Sequence, residues 1–533
     1  MESNLSVEQG QHIPATPSLP KWYLNLTIFV AGMTTMAVEF GASRLLGNVF
    51  GTSNIVWAVI IGLVLVYLTL GNWLGGKLAD KSPTYRAYFS VLAWAGFFVG
   101  VVPLIARPIL RVSANAFDAL QIPVLAGSFL AVLILFSVPV ILLGMVTPFA
   151  LKLLIQDTHE TGRVSGRMSA ISTLGSFVGT FLTVLVLIPF VGTYRTFIVT
   201  SLLLLVIALP GLWRTGGGKR FVLFVLLTLA VVIMGILGIR GTDKSTEGLI
   251  FESESAYNYI QVLQSGDFRF LRLNEGQGMH SIYHPSQLFY RGPWSQALVA
   301  PYFNPPGSVG TKVDNIAILG LAAGTTARQA NTVYPEARVD GFEIDPEIIQ
   351  VGKDWFGMDL PNLTTYAEDA RWGIAHSNNT YNIISVDAYR PPYIPAHMVT
   401  VEFFQIVYSK LEESGVMVIN VGRSSTDRTL VDTISGTVAQ VFPKVYAMDL
   451  PDSYNTILFA TKNTDTGWDY FAQNMGTIEA IQPDSLLSQA MNLTMEGKAE
   501  VGTSTMIFTD DKAPIEFMTN RLVLDFVFQD LLE

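Results

Sequence analysis

Two glycines and three carboxylates in one stretch have the types and spacing to hold a nucleoside. Gly320 and Gly324 bracket a loop after the run Ile316–Leu319, and Glu343 directly follows the next strand-like run, Arg338–Phe342. A strand, a glycine loop, a helix and a second strand ending in an acid can wrap the first turn around an adenosine-type cofactor. The acid then faces the ribose hydroxyls. Asp369 follows Leu363–Tyr366, and Asp387 follows Ile383–Val386. Each residue also has a plainer reading. The glycines can mark only a tight turn, Asp369 can cap a helix from Ala370, and Asp387 can shape the proline-rich turn after it. Asp345 before Pro346 fits a helix cap with proline at the first helical position, whereas no cap requires Glu343.

The elements that position these residues alternate. Strands are expected at Ile316–Leu319, Arg338–Phe342, Leu363–Tyr366, Ile383–Val386 and Val416–Val421, with helices at Thr325–Tyr334, Pro346–Trp355 and Val401–Leu411. Such alternation implies a parallel sheet with helices on both faces, and ligands bind beyond the carboxyl ends of its strands. The glycines and the three acids all fall on that edge. Upstream, Tyr259–Leu263 and Phe268–Leu273 read as a hairpin around Ser265-Gly266-Asp267, and Gly278–Tyr283 extends it into a small antiparallel sheet. Pro301–Gly310 reads as a linker. Asp510, Asp511 and Glu516 read as helix-capping and inter-domain contacts, before a closing helix at Arg521–Leu531, rather than as a cation site.

The first half has a different composition. Only 14% of the 533 residues are charged and 50% are hydrophobic, against about 25% charged in a typical soluble domain. The apolar residues concentrate before Arg240, in seven stretches long enough to span a bilayer: Tyr23–Arg44, Asn54–Gly75, Ala87–Ala106, Pro123–Val146, Ala170–Val191, Tyr194–Trp213 and Phe221–Ile239. The segment between Ala106 and Pro123 reads as a short surface helix or loop. Gly166, Gly175 and Gly179 read as points of close helix packing. The expected order is a polar segment at 1–22, a multi-pass α-helical membrane domain at 23–240, an antiparallel β domain at 248–300 and an α/β Rossmann-like domain at 311–533. This makes the chain an integral membrane protein, in the plasma membrane of a bacterium or archaeon, with the lipid bilayer as a partner. Basic residues in alternate loops put the N-terminus in the cytoplasm and, with seven spans, the C-terminal domain outside. A nucleoside made in the cytosol requires the reverse, which one re-entrant segment at Pro139 or Pro148 would supply.

Composition also excludes some chemistry. A net charge of −10 offers no basic face for nucleic acid. With no cysteine there is no disulfide and no thiolate, and six histidines without a ligand spacing leave no metal site expected.

From about Phe251 to about Lys462 the chain resembles the spermidine synthase (aminopropyltransferase) family, in the variant fused to a membrane domain. The resemblance rests on Ser255-Ala256-Tyr257-Asn258, Gln277, Phe289-Tyr290, the glycine loop, Phe342-Glu343-Ile344-Asp345-Pro346, Glu368-Asp369-Ala370, Val386-Asp387-Ala388 and Thr400-Val401-Glu402-Phe403-Phe404. It implies an enzyme, generally a homodimer, that moves the aminopropyl group of decarboxylated S-adenosylmethionine to a polyamine or related amine. It also implies roles: Glu343 on the ribose, Asp369 on the adenine, and Asn258 and Gln277 near the thioether. Asp387 would take the amine proton, and Tyr290, Tyr389 and Tyr454 would flank the amine. Three positions depart from the family pattern. Ala323 stands where its glycine loop carries an acid, Arg390 replaces a second aspartate, and Arg291 follows Tyr290 where His or Gln is usual. These changes keep two alternatives open: an S-adenosylmethionine-dependent methyltransferase, or a non-catalytic binding module coupled to the membrane domain.

Overall fold

The computed structural model describes residues 19–50, 54–120, 124–155, 161–216, 218–237, 246–274, 278–389, 394–424, 427–451 and 453–519. Gln277, Arg390 and the expected closing helix lie outside the described residues. The chain forms two compact units, one made of Met1–Leu46, Ile55–Ser113 and Leu125–Asp243, the other chiefly of Lys244–Glu533.

The first unit is helical: α1 (Lys21–Phe50), α2 (Asn54–Lys81), α3 (Tyr85–Leu120), α4 (Val124–Leu154), α5 (Thr161–Leu182), α6 (Ile188–Val191), α7 (Thr193–Arg214) and α8 (Gly218–Leu237). A π-helical turn at Thr183–Leu187 joins α5 to α6. Among the described residues, seven helices are long and apolar enough to cross a membrane. Two expectations need correction. The segment after Ala106 is not a separate surface helix or loop, because α3 continues through Pro103 and Pro108 to Leu120. Each proline removes one backbone hydrogen bond, and the helix runs on past both. Likewise, Pro139 and Pro148 lie inside an unbroken α4, so no re-entrant turn forms there. Of the three packing glycines, Gly175 and Gly179 behave as expected. A Cβ on either would come within 2.0 Å of the Phe29 carbonyl oxygen or 2.3 Å of that of Met33, whereas Gly166 faces open space.

The second unit opens with a four-stranded antiparallel sheet, β1 (Leu249–Glu254), β2 (Tyr259–Ser265), β3 (Phe268–Leu273) and β4 (Ser281–Tyr283), in that spatial order. The hairpin and the shorter third strand match the sequence pattern. The first strand, Leu-Ile-Phe-Glu-Ser-Glu, lacks clean alternation and was not anticipated.

Pro301–Gly310 is not a loose linker. After α9 (Gln296–Val299), Ala300–Phe303 forms a 3-10 turn whose residues are all buried. Phe303 lies 4.6 Å from the Tyr446 ring, 5.0 Å from Phe459 and Trp468, and 4.8 Å from Phe471. Proline and glycine only bend the chain here, and one aromatic anchor fixes it. Phe303→Ala should therefore cost about 3–5 kcal/mol of unit stability, read as an earlier thermal unfolding transition of the purified chain.

The remaining elements are β5 (Asn315–Leu319), α10 (Thr325–Val333), β6 (Arg338–Glu343), α11 (Pro346–Phe356), β7 (Leu363–Ala367), α12 (Ala370–His376), β8 (Tyr381–Val386), α13 (Val401–Lys410), β9 (Leu411–Gly422), α14 (Thr429–Val438), β10 (Lys444–Asp449), β11 (Asn455–Thr461), α15 (Trp468–Ile481), α16 (Leu486–Glu496) and β12 (Lys498–Ala499). They build an eight-stranded sheet in the order β12-β10-β11-β9-β8-β5-β6-β7. The expected parallel strands are parallel, but the sheet is mixed: β10, β11 and β12 join antiparallel. The short connection between β10 and β11 permits only a hairpin. Side chains alternate along β5, with Ile316 and Ile318 in one core layer and Ala317 and Leu319 in the other. Helices thus cover both faces. A third cluster joins Ile260 and Leu271 of the small sheet to Ile348, Val351 and Phe356 of α11.

Candidate active site

The reversal of strand order around β5 opens a crevice where ligands of such sheets bind. Register brings Leu319 beside Phe342 on one side and beside Val386 on the other. Gly320 therefore lies between Glu343 and Asp387. A Cβ on Gly320 would come 2.6 Å from the Asp387 carbonyl oxygen, and its φ of 93° lies in the left-handed region, so glycine is required twice over. Gly324, also left-handed, caps α10 and packs against Met358 rather than on the cavity wall.

Glu343 is 8% exposed. Its carboxylate accepts the Ala322 N–H at 3.0 Å and the Asp345 N–H at 3.1 Å. Burial nevertheless outweighs these bonds and pushes its pKa up to about 7. Asp345 is the expected cap of α11, accepting the Glu347 N–H at 3.1 Å. It also accepts from the Ser255 hydroxyl and, at 2.9 Å, from Asn258 Nδ2. Asn258 Oδ1 in turn accepts from Asn274, so both ends of this amide join the small sheet to α11.

Asp369 is a helix cap that also faces the cavity, accepting the Trp372 N–H of α12 at 2.9 Å. His397 Nε2, 3.1 Å away, is the main cause holding its carboxyl below the usual range. Asp387 accepts from Asn420 Nδ2 at 2.9 Å. Burial pushes its pKa up to about 7, with the Asn420 bond opposing the rise. Tyr389 donates to the Asn420 carbonyl at 3.1 Å, Tyr290 donates to the Gln287 carbonyl at 2.7 Å, and Tyr454 is half-exposed.

Asn258, Tyr290, Gly320, Glu343, Asp369, Asp387, Tyr389 and Tyr454 all line one cavity of about 1290 Å³. That exceeds the ~300–1,000 Å³ of common single-ligand pockets and leaves room for a nucleoside and an amine together. Two substituted positions differ from their expected settings. Ala323 is fully buried with Ile260 and Leu271, its N–H on Ser281, and Ala322 faces the cavity instead. Arg291 lines the wall but pairs with Glu496 at 3.2 Å, which offsets its charge.

The acidic C-terminal segment is an internal strap. Arg371 grips both Asp510 oxygens at 2.7 Å, Thr400 adds a bond, and Asp510 is held down to about 2 chiefly by Arg371. Ile515, Glu516 and Thr519 thereby reach the cavity wall. Sequence reasoning missed the wall positions of His397, Asn420, Asn455 and Glu516. None sits in a local pattern, and only tertiary register brings them in.

A profile of the spermine/spermidine synthase domain matches residues 304–467. A probable polyamine aminopropyl transferase of Bifidobacterium longum is 30% identical over 315 residues, covering 56% of this chain and 69% of that protein. A polyamine aminopropyltransferase of Vibrio vulnificus is 27% identical, covering 51% and 91%. Polyamine aminopropyltransferase 2 of Aquifex aeolicus is 22% identical over 428 residues, covering 78% and 82%, so this match extends into the helical half.

Proposed function

The chain belongs to the spermine/spermidine synthase family of transferases, and from that premise we propose a membrane-bound aminopropyltransferase acting on a polyamine or related amine. The observation that supports it most is the pair Glu343 and Asp387, flanking Gly320 on one cavity. The donor in this reading is decarboxylated S-adenosylmethionine. Glu343 takes the ribose hydroxyls, the loop amides close over the nucleoside, and Asp369 faces the adenine.

The chemistry follows from charge. A sulfonium is already a good leaving group, so alignment of nitrogen and carbon supplies most of the rate. An amine arrives protonated and cannot attack. Asp387 takes that proton, the nitrogen lone pair forms a bond to the propyl carbon, and the carbon–sulfur bond breaks. The sulfur keeps that electron pair and leaves as neutral methylthioadenosine. Tyr290, Tyr389 and Tyr454 offer rings to the alkylammonium chain. In this proposal the seven apolar helices cross a bilayer and anchor the synthase part.

Incubation of the full chain in detergent with decarboxylated S-adenosylmethionine and a series of amines should release methylthioadenosine. One alternative has a specific observation behind it. Ala323 leaves the loop without an acid, which suits S-adenosylmethionine-dependent methyl transfer. Release of S-adenosylhomocysteine from S-adenosylmethionine, with no methylthioadenosine from the decarboxylated donor, would establish that alternative.

A further inference from the structure

Behind Asp387 stands a chain of amides that the reaction scheme above does not use. Ser453 Oγ donates to Asn455 Oδ1 at 2.6 Å, Asn455 Nδ2 donates to Asn420 Oδ1 at 2.9 Å, and Asn420 Nδ2 donates to Asp387 Oδ1 at 2.9 Å. Sheet register builds this line. Val386 pairs with Ile419, which sets Asp387 beside Asn420, and Asn420 opposite Ile457 leaves Asn455 on the neighbouring diagonal. Backbone contacts hold it: Tyr389 on the Asn420 carbonyl at 3.1 Å, and the Leu450 N–H on the Asn455 carbonyl at 2.9 Å. Asn420, Ser453 and Asn455 all reach the cavity wall.

The direction of the chain has a chemical reason. An ionised carboxylate only accepts, so Asn420 must turn its Nδ2 toward Asp387. Its Oδ1 then needs a donor, which Asn455 supplies, and Asn455 Oδ1 takes the serine proton. We propose that Asn420 and Asn455 are positioning residues for Asp387, forming with Ser453 a one-way relay that orients the carboxylate and couples it to the turn bearing Tyr454. Only Oδ1 of Asp387 joins the relay, which leaves Oδ2 to the amine. An alkylammonium lying against Tyr454 would press on the turn that holds the base in line. The kinetic consequence rests on the aminopropyltransferase reading; the relay itself does not.

The test uses the full chain in detergent, carrying Asn420→Ala, Asn455→Ala, Asn455→Asp or Ser453→Ala. The Asp387 carboxyl is titrated by carbon NMR or infrared difference spectroscopy, with Asp387→Asn assigning the signal. Removing the donor to Asp387 should raise its midpoint, most in Asn420→Ala and least in Ser453→Ala. Asn455→Asp is nearly isosteric but cannot donate. It forces Asn420 to flip and present its oxygen to Asp387, so it should raise the midpoint more than Asn455→Ala does. Methylthioadenosine release near pH 6.5 should fall roughly tenfold per unit of midpoint shift and recover at pH 8.5, with nucleoside affinity unchanged. A purely structural role would instead lower the melting temperature without recovery at high pH. Unmoved midpoints in both Asn420→Ala and Asn455→Asp would overturn the relay even in an active enzyme. If the unaltered chain released nothing, the transferase reading would fail while the order of midpoints still decided the relay.

Discussion

Asp387→Asn is expected to lower methylthioadenosine release by about 10²–10⁴-fold, the usual contribution of a positioned proton acceptor. Asparagine keeps the shape, so the Gly320 loop should stay seated and nucleoside binding should persist. A drop confined to kcat, with calorimetric affinity for methylthioadenosine retained, is the expected split. Unchanged release would remove Asp387 from the role of base. The pH dependence carries a sign. Burial pushes this carboxyl up to about 7, and it accepts a proton only when ionised. The rate should therefore rise with pH through that region, and the Asn variant should lack that limb.

The same burial has a thermodynamic consequence of opposite sense. A carboxyl whose folded pKa lies above its unfolded value binds its proton more tightly in the native state. Its contribution to stability is complete below the unfolded value, 3.8, and is lost as pH rises toward about 7. Glu343, from 4.5 to about 7, acts in the same direction. The ligand-free unit should thus melt earlier at pH 8 than at pH 5, and Asp387→Asn should flatten that slope while lowering activity. Stability is given up where function needs a buried charge.

What the sequence disclosed follows the range of the forces involved. The glycine loop, Glu343 and the Asp345 cap were legible because a strand, a turn and a helix N-terminus are local events. The long apolar helices were legible because their apolar runs are continuous in the chain, although α3 overran its expected end past Pro108. Asn420 and His397 were not legible. Each meets its partner, Asp387 or Asp369, about thirty residues away in sequence, through register and turns that no local pattern reports. Phe303 was hidden for another reason: the prolines and glycines around it signal a loop, and they say nothing about a buried ring. The antiparallel strands β10 and β11 were missed as well, and β11 brings Asn455 against Asn420 behind Asp387.

Glu343→Ala should weaken nucleoside binding by roughly 10- to 10⁴-fold, the loss of one or two hydrogen bonds to a charged group at about 1.5–3 kcal/mol each. Two separate losses combine here. In the proposed reading the carboxylate is the acceptor offered to ribose hydroxyls, and it also holds the Ala322 N–H of a loop strained to φ 47°. Without it the loop loses its anchor at the point where the nucleoside must close it. Glu343→Gln separates the two. The amide oxygen can still accept the Ala322 N–H, so the loop stays in place, while the charge that strengthens bonds to hydroxyls is gone. Binding in the Gln variant should fall between wild type and Ala, and its thermal stability should depend less on pH than wild type's, because the buried carboxyl that titrates near 7 is gone. Calorimetry with methylthioadenosine across the three proteins reads this order directly. Equal affinities in all three would mean that the nucleoside does not lie against β6, and the assignment of the cavity would fall with it.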